Sequence, residues 1–210
     1  MTATRAVGRV AQVWVFPVKS MSGAALESAE VVGGGLAGDR SWAVVDDAGE
    51  MVTAAQEPRL REVTTRLLDG ELRLDVPGAQ PGLAADAAAE ALSGWLGRPL
   101  HLAYREGTGF VDVAPVHVVS HSSMQHAAEH AETCDACDIG APRANFVLEL
   151  AGDVPGEATA AGTERDWLGL EVRVGDAVLR MTQRPDHCLG AYAEVARPGR
   201  VAVGDPVTLT

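Results

Sequence analysis

Residues 61–76 read REVTTRLLDGELRLDV, and the middle of this stretch decides the fold class. Residues 61–68 and 71–76 are rich in apolar and β-branched side chains, and Asp69-Gly70 lies between them. This dipeptide favours a two-residue turn with left-handed backbone angles, which joins antiparallel strands. The stretch therefore predicts a β-hairpin.

Further strand-like segments flank this hairpin on both sides along the chain. They share apolar or alternating residues and end at Gly, Pro or Asp. They lie at residues 7–18, 29–32, 41–45, 116–119, 146–150, 170–181 and 201–209. Their spacing is typical of β-sandwiches and barrels. Helices are predicted only at 84–96 and from Met124 to about Ala136, so the predicted fold class is mostly β (α+β).

The composition is that of a folded, acidic protein. Hydrophobic residues make up 47% and charged residues 22% of the chain, close to average globular usage. The net charge of -12 disfavours nucleic acid and anionic membrane surfaces as partners, because both repel an acidic surface. No signal-peptide-like segment or long apolar run occurs, and three cysteines are no disulfide framework. We therefore expect a cytoplasmic location.

Three polar clusters lie at the ends of predicted strands, where loops usually display binding groups. The first cluster joins Lys19 and Ser20, which follow Pro17, to Arg40 in the turn at 38–42. These are donors suited to a phosphate, because Arg offers a planar fork and Lys a point charge. Ordinary surface charge in turns is the alternative interpretation.

The second cluster leads into the predicted strand at 146–150, and the third cluster follows the predicted strands at 170–181. Arg143 and Asn145 are two residues apart on an extended segment, so both side chains point the same way and can reach one ligand. A structural turn also explains them. The stretch 183–190 contains Cys188, whose thiolate is a soft ligand suited to molybdenum. A buried structural cysteine is the alternative there.

A fourth group of residues has metal-ligand chemistry of its own. His126 and His130 share a face of the predicted second helix, and Cys134 and Cys137 have metal-ligand spacing. The pattern permits a zinc-stabilised binding or structural module, although its intervals are shorter than in zinc fingers. A redox CxxC is another alternative, but the strand that precedes such a motif in a βαβ unit is missing from the predicted elements. The remaining histidines are interpreted as structural: His101, His117 and His121.

Taken together, these motifs resemble the MOSC family, whose members include the mitochondrial amidoxime-reducing component. The first stretches that carry the resemblance match the N-terminal β-barrel of the family, and the later ones follow in the order expected of the MOSC domain. They are VFPVKS at 15–20, GDRSW at 38–42, MVTAAQEPRL at 51–60, PRAN at 142–145, Asp166-Trp167 and VGDPV at 203–207.

The resemblance implies a β-barrel-rich fold, with an N-terminal β-barrel subdomain at 1–100 and a MOSC domain at 101–210. It also implies the molybdenum cofactor, a molybdopterin, with Cys188 as metal ligand and catalytic residue. The residues implied to bind the cofactor are Lys19, Ser20, Arg40, Ser120, Ser123, Arg143 and Asn145. Two departures from the family are Ala55 in place of an arginine, and a Cys188 that runs straight into Leu189-Gly190, which predicts a short active-site loop.

The activity implied by the resemblance is reduction of N-hydroxylated or related N-oxygenated small molecules. Three cysteines are too few for an iron–sulfur cluster of the usual kind, so electrons are expected from a separate ferredoxin or flavoprotein reductase. A second hypothesis keeps the fold without molybdenum. Cys188 then carries sulfur as a persulfide, or acts as a nucleophile in carbon–sulfur chemistry that does not depend on pyridoxal phosphate.

Overall fold

The computed structural model describes residues 5–129, 143–151, 163–185 and 189–209. The chain divides into two compact units. The barrel unit is drawn from Met1–Trp14, Leu26–Ala37 and Val113–Thr210, and the hairpin unit from Val15–Ala25 and Gly38–Asp112. Compact units and family domains need not share boundaries, so the division expected at residue 100 stays a prediction.

The described residues are mostly β-strand, with two α-helices and two short 3-10 helices at Pro58–Glu62 and Thr163–Asp166. The helices are α1 (Ala85–Leu96) and α2 (His121–Glu129). The strands are β1 (Arg5–Val15), β2 (Ala24–Leu26), β3 (Ser28–Val32), β4 (Gly35–Leu36), β5 (Trp42–Val45), β6 (Met51–Val52), β7 (Thr64–Leu68), β8 (Glu71–Asp75), β9 (His101–Tyr104), β10 (Val116–Ser120), β11 (Phe146–Leu150), β12 (Glu171–Val174), β13 (Ala177–Gln183), β14 (Ala191–Arg197), β15 (Gly199–Ala202) and β16 (Pro206–Leu209).

The barrel unit is built on seven strands in the order β11-β10-β14-β13-β12-β16-β1. Because β1 pairs with β16 on one side and with β11 on the other, the sheet closes on itself. Neighbouring strands are antiparallel except β10 and β11, which run parallel. Closure removes exposed sheet edges, which would otherwise invite pairing with other chains. The separate sheet β15-β3-β4 belongs to the same unit.

The core of the barrel explains the apolar pattern of β1. Val7, Val10 and Val13 are each at most 1% exposed, although a regular strand buries alternate residues. The pairing register shifts between Ala6 and Gly8 and between Val10 and Gln12. Each bulge inserts one extra residue into the strand. Successive buried side chains are therefore three residues apart at these points instead of two.

The hairpin unit packs its strands against α1. The hairpin β7-β8 pairs Leu68 with Glu71, and Asp69 and Gly70 have φ angles of 52° and 81°. The predicted hairpin and its left-handed turn are therefore confirmed. A second sheet, in the order β6-β5-β9, belongs to the same unit. Its apolar core draws on both sheets, α1 and the short helix between them: Val18, Met21, Val44, Val52, Leu60, Val63, Leu72, Leu74, Val76, Ala88, Leu92 and Leu100.

The mostly β fold class and the helix at α1 are confirmed. The predicted second helix is described over His121–Glu129, so it begins three residues before the predicted Met124. Five strands of the described residues were not predicted: β2, β4, β6, β9 and β14. Strand β15 was predicted only from Val201 onward. The clearest case is β14, whose sequence AYAEVAR is rich in alanine and favours a helix. It is a strand because it lies between β10 and β13 and pairs with both. Tertiary pairing here outweighs local propensity.

Candidate functional site

The first two polar motifs lie side by side in the hairpin unit. The Arg40 amide donates to the Phe16 carbonyl at 2.8 Å, and the Trp42 amide donates to the Pro17 carbonyl at 3.0 Å. The Lys19 amide in turn donates to the Trp42 carbonyl at 2.8 Å. Residues 16–19 and 40–42 therefore form a short parallel ribbon, and the predicted donors Lys19, Ser20 and Arg40 extend from it. We call this group the cation cluster.

Each cation of the cluster is paired with a carboxylate. Lys19 is 8% exposed and its Nζ forms an ion pair with Asp112. Arg40 forms an ion pair with its neighbour Asp39, which is 6% exposed. The guanidinium of Arg40 also lies 5.3 Å from the centre of the Phe16 ring. Since the cations are partly buried, these pairs offset the cost of removing the charges from water.

The backbone of the cluster is held in a conformation that side chains rarely adopt. Ser20 and Arg40 have positive φ angles of 69° and 50°. Among the described residues only one other non-glycine, Asp69 in the hairpin turn, shares this property. Positive φ costs on the order of 1 kcal/mol or more for a residue with a side chain, and such strain is concentrated at functional sites. It gives Ser20 and Arg40 directions that a regular strand would not allow.

The barrel unit contains the second set of predicted residues. Ser120 ends β10 and caps α2, because its Oγ accepts a hydrogen bond from the Ser123 amide at 3.1 Å. The Ser120 hydroxyl donates to the Ser123 hydroxyl, and Ser123 donates to Glu164 Oε1 at 2.5 Å. The Ser120 amide also donates to Glu164 Oε1, at 3.2 Å. All three residues are at most 1% exposed. The Ser123 hydroxyl and the Ser120 amide thus both donate to one internal carboxylate.

Asn145 connects two elements of the barrel. Its Oδ1 accepts a hydrogen bond from the His117 amide at 3.0 Å, and its Nδ2 donates to the Trp14 carbonyl at 3.3 Å. The side chain is fully buried, whereas Arg143 is half-buried. In the described structure Asn145 therefore ties β1 to β10. Its predicted contact with a cofactor, and that of Arg143, stay predictions.

Residues 186–188 lie outside the described part of the chain, so the structure gives no position for Cys188. The residues that follow it are described. His117 Nε2 hydrogen-bonds the Leu189 carbonyl at 2.7 Å, and Arg165 Nη1 donates to the Gly190 carbonyl at 3.4 Å. Gly190 has a φ of 80°, and a Cβ there would lie 2.1 Å from the Val118 carbonyl oxygen. The backbone just after Cys188 is thus held firmly against β10.

The zinc alternative falls largely outside the described residues. His130, Cys134 and Cys137 are not described, and His126 is placed only as a backbone position on α2. Within the described ranges, no group of three or more His, Cys, Asp or Glu residues is arranged to hold a metal ion. The zinc hypothesis stays a prediction.

Sequence reasoning did not identify three carboxylates that matter here: Asp39, Asp112 and Glu164. Asp39 lies inside the quoted motif GDRSW, and Glu164 lies just before Asp166-Trp167, so both were next to a recognised signal. Asp112 is 93 residues from Lys19, and no local pattern connects them. His101, which was interpreted as structural, lies on an exposed surface, where its Nε2 pairs with Asp47 at 2.9 Å.

No helix in the described ranges is both long enough and apolar enough to cross a membrane.

Parts of this chain are similar in sequence to known proteins. Residues 7–98 match the MOSC N-terminal beta barrel domain. Mitochondrial amidoxime reducing component 2 of Rattus norvegicus is 43% identical over 79 residues, which are 36% of this chain and 23% of that protein. Mitochondrial amidoxime-reducing component 1 of Homo sapiens is 50% identical over 58 residues, which are 26% of this chain and 17% of that protein.

A solved structure, the YUAD protein from Bacillus subtilis, aligns over 100% of this chain and 98% of that one, with a TM-score of 0.47 and 13% identity. The matches to the two curated relatives span less than a quarter of those proteins' length. The domain match covers both motifs of the cation cluster. Residues 7–98 of this chain are therefore similar to the MOSC N-terminal beta barrel domain.

Proposed function

We propose that this protein is a molybdenum-cofactor-binding oxidoreductase that reduces N-hydroxylated or related N-oxygenated small molecules. The observation that supports it is the cation cluster, in which Lys19, Ser20 and Arg40 extend from one hydrogen-bonded ribbon inside the matched domain. The relatives are named for amidoxime reduction, and an amidoxime is an N-hydroxylated substrate.

The donor set fits the anionic part of a molybdopterin. Lys19 supplies a compact positive charge, Arg40 a planar fork and Ser20 a hydroxyl, and all three suit a phosphate oxyanion. We propose that these residues hold the cofactor's phosphate or pterin. The roles of Ser120, Ser123, Arg143 and Asn145 in cofactor binding are further proposals, which rest on the resemblance of the sequence to the MOSC family. When bound, the cofactor supplies a molybdenum centre for the redox chemistry.

We propose Cys188 as the molybdenum ligand, since a thiolate is a soft donor. The support from the described structure is indirect. His117 and Arg165 hold the carbonyls of Leu189 and Gly190, so the chain just after Cys188 is fixed before any metal binds. Preorganised ligands bind metals with a lower ordering cost.

Electrons are proposed to come from a separate ferredoxin or flavoprotein reductase. The acidic net charge of -12 suits a partner with a basic docking face. We retain the cytoplasmic location as a proposal from the sequence, although the relatives are named as mitochondrial. Fractionation of the native host distinguishes these locations.

The test is elemental analysis of protein from a molybdenum-replete host, with pterin measured by fluorescence after oxidation. We compare the wild type with Cys188→Ala and with a Cys134→Ser/Cys137→Ser control. The proposal expects near-stoichiometric molybdenum and pterin in wild type and control, and loss of the metal only in Cys188→Ala. Absence of molybdenum in every protein contradicts it; sulfur carried at Cys188 then supports the persulfide hypothesis, and zinc lost from the control supports the zinc module.

A further inference from the structure

Lys19 is the only lysine in the chain, because the other basic residues among its 17 Lys and Arg are all arginines. Among the described residues it is also one of few charged residues that are buried, at 8% exposure. Arginine and lysine are not equivalent at such a position, since the ammonium is a compact point charge and the guanidinium is a larger planar fork. A chain that uses arginine at its other basic positions retains lysine at this buried one.

The partner of Lys19 differs from the partner of Arg40. The Asp39 side chain is 2% exposed, and its Oδ1 accepts a hydrogen bond from the Phe16 amide at 2.7 Å while its other oxygen pairs with Arg40. Asp39 is therefore part of the fold. The Asp112 side chain is 73% exposed, and its one described hydrogen bond is to Lys19. Asp112 can leave its partner without breaking other hydrogen bonds.

The segment that carries Asp112 is docked beside the cluster. The Phe110 amide donates to the Arg40 carbonyl at 2.8 Å, and the Arg105 guanidinium lies 4.3 Å from the centre of the Phe110 ring. Gly109 has a φ of 59°, and a Cβ there would lie 2.4 Å from the Arg40 carbonyl oxygen. This close approach holds residues 109–110 against the cluster, so Asp112 stays within reach of Lys19 even after their ion pair opens.

We propose that Asp112 is an internal competitor for the anion site at Lys19, and that a phosphate-type oxyanion displaces it on binding. This inference rests on the proposed role of Lys19 in holding the cofactor's phosphate. A tethered carboxylate acts at an effective concentration on the order of millimolar, so simple inorganic anions bind weakly. A ligand with further contacts to the protein displaces Asp112 and remains bound. Asp112 thereby selects against free phosphate.

The single lysine permits a direct test on protein without cofactor. Labelling with 15N-lysine gives one side-chain ammonium signal, which is followed while inorganic phosphate is added at constant ionic strength. Asp112→Asn should tighten the dissociation constant for phosphate by about fivefold or more, since removal of a charged hydrogen-bond partner is worth roughly that factor. Because Asp112 is exposed, the variant is expected to fold.

The matched control is Glu90→Gln, which removes the same charge from an exposed position on α1 in the same unit. It should change the dissociation constant by less than about twofold, since exposed charges are screened by salt. A thermal-shift titration then compares Lys19→Gln with Lys19→Gln/Asp112→Asn. Phosphate should change the thermal midpoints of these two variants equally.

The inference is overturned if Asp112→Asn gains no more affinity for phosphate than Glu90→Gln does. It is also overturned if Asp112→Asn raises the affinity for phosphate in the Lys19→Gln background, or if neither wild type nor Asp112→Asn binds phosphate. None of these readouts uses molybdenum or activity. Failure of the wild type to load molybdenum would therefore count against the proposed function while leaving the competition at Lys19 measurable.

Discussion

Glu164 and Ser123 form a fully buried hydrogen bond of 2.5 Å between a carboxylate and a hydroxyl at the beginning of α2. The same carboxylate oxygen accepts from the Ser120 amide. A helix N-terminus favours negative charge, because its first amides lack partners within the helix. Glu164 thus occupies a position in the barrel that stabilises an anion, next to the strand that holds the residues after Cys188.

Replacement of Glu164 by alanine should lower the free energy of unfolding by about 1–3 kcal/mol, since it leaves the Ser120 amide and the Ser123 hydroxyl without their acceptor. Glu164→Gln keeps one acceptor oxygen, so its free energy of unfolding should fall by less. Denaturant unfolding monitored by circular dichroism measures both. Glu171→Gln is the control, because Glu171 pairs with Arg180 on an exposed surface. Equal losses in Glu164→Ala and the control would show that Glu164 has no special role.

His117→Phe should release the backbone that follows Cys188. The ring is retained beside Tyr192, but the Leu189 carbonyl loses its hydrogen bond from Nε2. We expect faster amide hydrogen exchange at residues 190–192, and a loss of about 1 kcal/mol in unfolding free energy for a partly buried hydrogen bond. His101→Phe, at an exposed position, is the control. Unchanged exchange in His117→Phe would mean that Gly190 packing alone holds this segment.

Local sequence patterns predicted the elements whose determinants are local. The β7-β8 hairpin follows from Asp69-Gly70, because two left-handed residues are what a tight turn between strands requires. The helix α1 follows from its alanine-rich sequence and ends at Gly97, which has a φ of 72°. By contrast, β14 was missed because its alanines favour a helix, and only its pairing with two neighbouring strands decides the outcome.

In the candidate site, too, residues in local motifs were predicted, whereas contacts between distant parts of the chain were not. Lys19, Ser20 and Arg40 were predicted from motifs, and the structure places Lys19 and Arg40 in one hydrogen-bonded ribbon, which Ser20 directly follows. The carboxylates that pair with Lys19 and Arg40 were not predicted, since Asp112 meets Lys19 only after the chain has folded. His117 was interpreted as structural, and its bond to the Leu189 carbonyl depends on a strand pairing that no local pattern contains.

Gly70→Ala tests the conformational argument for the hairpin turn. Gly70 has a φ of 81°, and a Cβ there would meet nothing within 4 Å. The cost is therefore conformational rather than steric, and about 1–2 kcal/mol of unfolding free energy is expected. Gly94→Ala, within α1 and equally open, is the control and should be stabilising, because alanine favours the helix. Equal effects of the two substitutions on the thermal midpoint would contradict the left-handed turn.

Arg66 and Asp75 predict a pH dependence for the hairpin unit. The hydrogen bond from Arg66, 2.5 Å long, is the main reason that the pKa of Asp75 lies below its ordinary value of 3.8. A carboxylate with a lowered pKa in the folded state stabilises the fold above its unfolded pKa, and this stability is lost as the pH falls through the folded pKa.

Arg66→Gln should therefore be less stable than wild type at pH 7, and the difference should shrink as the pH is lowered from the ordinary pKa of Asp75 through its folded value. The measurement is the urea midpoint of both proteins across that acid range. Arg61→Gln removes the same charge from an exposed position of the same unit. The difference between its urea midpoint and that of the wild type should not show this pH dependence. A wild-type advantage over Arg66→Gln that stays constant into strong acid would show that the pair does not carry the stabilisation, because Asp75 is protonated there and its ion pair no longer exists.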